Sequence, residues 1–116
     1  MLEIKKELIE PGIGVLHLSG RIAMGRPCHE IEEQVDALLQ QKVLRVILDL
    51  TDIQRVDSTG FGTIVTCWQK VKKEGGTLRI VGASGMVEEI AQSSQLPRII
   101  AFHPDLAHAL TAFGTL

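Results

Sequence analysis

At 116 residues and 45% hydrophobic content, the chain has material for one core and too little for two domains, so one domain over 1–116 is expected. Twelve Lys and Arg stand against 14 Asp and Glu with no run of like charge, and aromatics make up 3%. These values argue against the basic face and stacking platforms of a nucleic-acid binder.

The longest mainly apolar stretch, 43–50, is broken by Arg45 and Asp49 and falls far short of the roughly 18 residues of a membrane span. The N-terminus lacks the apolar segment of a signal peptide. Cys28 and Cys67 show no CxxC spacing and read as free thiols, so the cytoplasm is the expected location.

Residues 2–9 and 13–19 read as an antiparallel pair of strands around Pro11-Gly12. Val15, His17 and Ser19 are set against Ile13, Leu16 and Leu18 in an imperfect alternation. From His29 to Gln41, the apolar residues Ile31, Val35, Leu38 and Leu39 form one helical stripe, and Pro27 suits its entry. Residues 44–50 read as a buried strand followed by a short polar connector. The next helix carries Phe61, Ile64, Val65, Trp68 and Val71 on one face, with Lys70, Lys72 and Lys73 where its dipole favours cations and Gly75-Gly76 at its end.

A strand over 77–81 follows, then a turn at Gly82-Ala83. Ser84 is the expected N-cap of a helix with Met86, Val87, Ile90 and Ala91 inward. A last strand is expected over 99–102. A last helix is expected over 105–115, with Leu106, Ala109, Leu110 and Phe113 spaced for packing. The order β-β-α-β-α-β-α-β-α predicts an α/β fold with a mixed sheet of four to five strands and about four helices, the later strands joined by right-handed crossovers.

The patterns of several chemistries are missing. His17, His29, His103 and His108 are scattered, and Pro104 interrupts the last two, so no metal site is expected. Gly60-Phe61-Gly62 lacks the third glycine or the lysine of a phosphate-cradling loop. Ser58 lies outside a G-x-S-x-G elbow and no histidine can be assigned as its base. A non-enzymatic protein without a cofactor is expected.

The most informative segment is Asp57-Ser58-Thr59-Gly60-Phe61-Gly62, at a strand-to-helix junction. Asp and Ser are good N-caps, so the segment could be only a helix start. Gly60 and Gly62, however, each cost close to 1 kcal/mol relative to Ala inside a helix. Small residues beside an exposed hydroxyl leave the backbone approachable to a docking or modifying protein. From the residues alone both readings stand.

The apolar strand Val46-Ile47-Leu48-Asp49-Leu50, then Val56-Asp57-Ser58-Thr59-Gly60-Phe61-Gly62 and the closing Gly75-Gly76, resemble the signature of STAS domains of the bacterial anti-sigma factor antagonists. The likeness runs from Leu16-His17-Leu18-Ser19-Gly20 to the region of Ser93–Leu96 and implies the STAS (SpoIIAA-like) fold. It further implies that Ser58, with Thr59 as second candidate, is phosphorylated by an anti-sigma factor serine kinase and dephosphorylated by a PP2C-type phosphatase. The unphosphorylated form would bind the anti-sigma factor and release the sigma factor.

Asp57, Ser58, Thr59, Gly60 and Gly62 would form the contact surface, together with Arg21 and Arg26 in a flanking loop. That loop departs from the family pattern of an acidic residue, a hydrophobe and an aspartate: here stand Arg21, Ile22 and Ala23, which implies a different choice of partner. Phe61 replaces a usual leucine and is expected to pack inward. Trp68 reads as core, Cys67 as inert and Glu88-Glu89 as a solvated face. The alternatives are a STAS subunit of another assembly, such as a lipid-transport complex or a stress-sensing particle, or a small ligand-binding or enzymatic α/β domain.

Overall fold

The computed structural model describes residues 1–114. In chain order the elements are β1 (Leu2–Ile9), β2 (Ile13–Ile22), α1 (Arg26–Gln40), β3 (Arg45–Val56), α2 (Ser58–Lys73), β4 (Thr77–Val81), α3 (Gly85–Gln92), α4 (Leu96–Ile99), β5 (Ala101–His103) and α5 (Leu106–Ala112). The strands lie side by side in the order β1-β2-β3-β4-β5, with β1 antiparallel to β2 and every later neighbour parallel.

Because each parallel strand is added on the same side of the last, right-handed crossovers must all pass over one face of the sheet. Helices α1 to α4 lie there. Their Ile31, Val35, Leu38, Ile64, Cys67, Val71, Val87 and Leu96 share one core with Leu16, Leu18, Leu48, Leu50 and Ile80. Burying an aliphatic side chain of this size contributes about 1.5–3 kcal/mol, which overrides propensity differences of a few tenths. Helix α5 follows the last strand and covers part of the opposite face, where Ala109 packs with Ile13, Val15, Ile47 and Val81.

Helix α1 begins at Arg26, three residues before the expected His29, with Pro27 in its first turn. Lys70 of α2 ties the two long helices together through Glu32 and Asp36 of α1, each at 3.2 Å. Helix α2 ends at Lys73, and the left-handed φ of 85° at Gly75 turns the chain toward β4.

Several expectations needed correction. The polar connector after residue 50 is strand: β3 runs on to Val56, with Ile53 and Val56 buried and Asp52, Ile53, Arg55 and Val56 registered against β2. Beyond Asp49 only β2 pairs with it, so the segment is mostly exposed and reads as a loop. Strand β2 likewise reaches Ile22, and Ile13 shares the face of Val15 rather than that of Leu16 and Leu18.

In α3, Val87 and Ala91 are buried but Met86 and Ile90 are exposed, because a two-turn helix needs only one i,i+4 pair to face the core. Ser84 holds the cap position without a side-chain capping bond. A short helix α4 occupies 96–99, where a loop and a strand start were expected, and β5 is confined to 101–103. Helix α5 ends at Ala112; residue 115 of the longer helix expected there lies outside the described residues.

Candidate functional site

The C-terminal ends of β2 and β3 and the start of α2 meet at Asp57. Its extended backbone makes it the N-cap, and Oδ1 accepts a 2.6 Å hydrogen bond from the Gly60 N–H. The second oxygen, Oδ2, accepts from the Met24 N–H at 3.1 Å, and the Asp57 N–H donates to the Ile22 carbonyl at 3.1 Å. One residue thus ties the β2–α1 loop to the helix start. The Gly60 N–H first, then that of Met24, holds the carboxyl below the usual carboxylate range, so it is ionised at neutral pH.

Ser58 and Thr59 are the first two residues of α2 and both are exposed. An anion at Ser58 would sit at a helix N-terminus, where the dipole favours negative charge. The two glycines beside them have different causes. A Cβ on Gly60 would lie 2.5 Å from the Ile22 carbonyl oxygen and 2.9 Å from Val56 Cγ1, so internal packing requires this glycine. Gly62 is exposed, and a Cβ there would meet nothing within 4 Å. Nothing inside the chain calls for a glycine at Gly62.

Beside Asp57 runs a groove of about 470 Å³ lined by Arg21, Ile22, Ala23, Arg55, Val56, Asp57, Met86, Val87 and Ile90. Its exposed apolar side chains are Met86, 54% exposed, and Ile90, 41%. Arg21 lies in the groove next to the motif. Arg26 does not line it and pairs instead with Glu30 at 3.3 Å.

Arg55, Met86 and Ile90 also line the groove, although the sequence pattern places Arg55 in a polar connector and the two apolar residues in the core. The available signal was the second i,i+4 pair on α3, offset by one residue from Val87 and Ala91.

Away from this end, His17 lies on the sheet face that α5 covers only in part, with Nδ1 2.6 Å from Asp49 and Nε2 2.8 Å from Glu7. Burial pulls its pKa down, but the bonds to Glu7 and Asp49 and their charges outweigh it and leave it raised. Asp49 is raised by burial and lowered by more through both Thr51 donors and His17.

Trp68 packs half-buried against the main core, with Lys72 Nζ 5.0 Å from its ring centroid; Phe61 also packs there. Among the described residues no three His, Cys, Asp or Glu side chains are placed to share a metal ion, and no helix is long and apolar enough to cross a membrane.

The fold is a small α/β module in which Asp57 caps the helix that carries the two exposed hydroxyls, beside the groove. The chain belongs to the STAS domain family, whose model matches residues 6–109. It is 24% identical over 101 residues to the anti-sigma F factor antagonist of Paenibacillus polymyxa, covering 86% of each chain. It is also 28% identical to a Thermotoga neapolitana homolog of TM1081, over 65% of this chain and 66% of that one.

Among solved structures, an anti-sigma factor antagonist of Mycobacterium paratuberculosis superimposes with a TM-score of 0.85 at 22% identity, over 97% of this chain and 93% of that one. Bacillus SpoIIAA in its phosphorylated form gives a TM-score of 0.73 at 15% identity, over 96% of this chain and 99% of that one. At these identities the structures establish the fold alone.

Proposed function

We propose that the chain is an anti-sigma factor antagonist switched by phosphorylation at Ser58. Unphosphorylated, it binds an anti-sigma factor that is itself a serine kinase, and so frees the sigma factor. Attack of the Ser58 hydroxyl on the γ-phosphate of ATP forms the serine O–P bond, expels ADP, releases a proton and ends the complex. A PP2C-type phosphatase hydrolyses the ester and restores binding. The observation that carries this reading is the placement of Ser58: exposed, first in α2, and adjacent to the residue that joins the helix start to the groove.

Phosphorylation adds about −1.5 to −2 charges. They arrive next to the already ionised Asp57, where the helix N-terminus accommodates them within the protein. A partner surface shaped around a neutral hydroxyl meets instead added bulk and the cost of desolvating a dianion. A change of about 1.4 kcal/mol alters affinity tenfold, so no change of fold is needed.

Incubation with ATP and the cognate anti-sigma kinase, followed by mass-spectrometric mapping, should place phosphate on Ser58, with Thr59 the second acceptor. If both remain unmodified, the reading fails. Ser58→Ala should hold the protein in its binding form, and Ser58→Asp should weaken binding at least tenfold, by the same conversion of about 1.4 kcal/mol.

A further inference from the structure

Arg21 and Arg55 are register partners on adjacent strands, both exposed and both lining the groove beside Asp57. Like charges placed side by side on neighbouring strands destabilise a sheet. Among the described residues neither guanidinium has a carboxylate partner, whereas Arg26 pairs with Glu30 and Lys70 with Glu32 and Asp36. Asp57, the one carboxylate among the described residues that line the groove, has each oxygen already bonded to a backbone N–H. Met86 and Ile90 line the same groove and leave apolar surface in water.

We propose that this groove receives an amphipathic acidic segment of the anti-sigma partner. Carboxylates of that segment bridge Arg21 and Arg55, and its apolar side chains cover Met86 and Ile90. The proposal rests on the antagonist reading above and adds the chemistry of the partner surface. Charge complementarity selects the occupant: two guanidiniums without a carboxylate partner among the described residues, in a concave site that also exposes Met86 and Ile90 and whose Asp57 is already held by backbone N–H groups, match carboxylates on an amphipathic strand or helix. A concave site beside an ionised Asp57 is a poor fit to a flat anionic membrane. Phosphorylated Ser58 adds a competing anion next to the residue that lines the groove, which links the arginines to the switch.

The test measures affinity for the cognate anti-sigma factor by calorimetry, with wild type, Arg21→Gln, Arg55→Gln, the double variant and Lys6→Gln on β1 as a charge control. Each arginine variant should bind about tenfold more weakly, the loss of roughly one charge-assisted contact, while Lys6→Gln binds as wild type. Raising salt from about 50 to about 300 mM should weaken the wild type more than the double variant. Melting temperatures of the arginine variants should equal or exceed that of the wild type, because like-charge repulsion is removed, which separates lost contact from misfolding.

Wild-type binding that the double variant retains in full overturns the groove proposal and leaves the antagonist reading standing. Absence of wild-type binding overturns the antagonist reading instead. The groove is then judged by amide shifts on adding an amphipathic Leu-Glu peptide and its Leu-Lys counterpart. Shifts at Arg21, Arg55 and Ile90 with the acidic peptide alone support it, and their absence, or arginine-dependent binding to phosphatidylglycerol vesicles, overturns it.

Discussion

Gly60→Ala would place a methyl group 2.5 Å from the Ile22 carbonyl oxygen and 2.9 Å from Val56 Cγ1. The first neighbour is backbone and cannot rotate away, and it is pinned by the Asp57 N–H. Relief requires α2 to back away from the end of β2, which strains that bond and the tether from Met24 to Asp57. Overpacking of this kind costs about 1–3 kcal/mol, and the better helix propensity of Ala returns at most about 1 kcal/mol. With backbone as the obstacle the upper end applies, leaving a net loss of about 2 kcal/mol, or roughly 8 °C in melting temperature for a domain of this size.

Gly62→Ala meets open space. The same propensity term then acts alone and should stabilise the fold by up to about 1 kcal/mol, roughly 4 °C. If Gly62 is kept small for a docking partner, this stabilised variant should still bind the anti-sigma factor more weakly. Thermal unfolding followed by circular dichroism, with calorimetric titration of the partner, reads both effects. Equal melting temperatures for the two variants would refute the packing explanation, and undiminished binding by Gly62→Ala would refute the docking one.

Two further predictions follow from titratable groups. His17 is raised above its ordinary value of 6.5, so the stabilisation from its bonds to Glu7 and Asp49 is complete below that pH and is lost as pH rises through the folded value. The urea midpoint should fall over that window and His17→Gln should flatten the profile; an unaltered slope in the variant contradicts the assignment. Burial pushes the Cys67 thiol up to about 12, and the Cys28 Sγ donates to the Ala23 carbonyl at 3.2 Å. Iodoacetamide at about pH 8 should therefore modify Cys67 slowly in the native protein and rapidly in urea, and fast native labelling would show the thiol to be accessible.

How much of the molecule was legible depended on the range of the interactions involved. The α1 stripe of Ile31, Val35 and Leu38 and the Gly75 stop are set within a turn or two of chain and are legible from residue types and spacing, whereas the choice of Asp57 over Ser58 as the cap is made by the structure. The later half of β3 reads as a connector in sequence because its order comes from one neighbouring strand rather than from its own pattern. Met86 and Ile90 look like core residues by composition, and only the packing of the short α3 through Val87 and Ala91 leaves them lining the groove.

The two motif glycines show the same division. That both sit where a helix would rather have another residue is legible in the chain itself, since propensity is a local property. That Gly60 answers to the Ile22 carbonyl while Gly62 faces open space is a tertiary property, because the nearest obstructing atom belongs to β2, separated from α2 in the chain by α1 and β3. The juxtaposition of Arg21 with Arg55 is of the same kind: Arg21 stands out in the sequence, but Arg55 joins it only when β2 and β3 come into register.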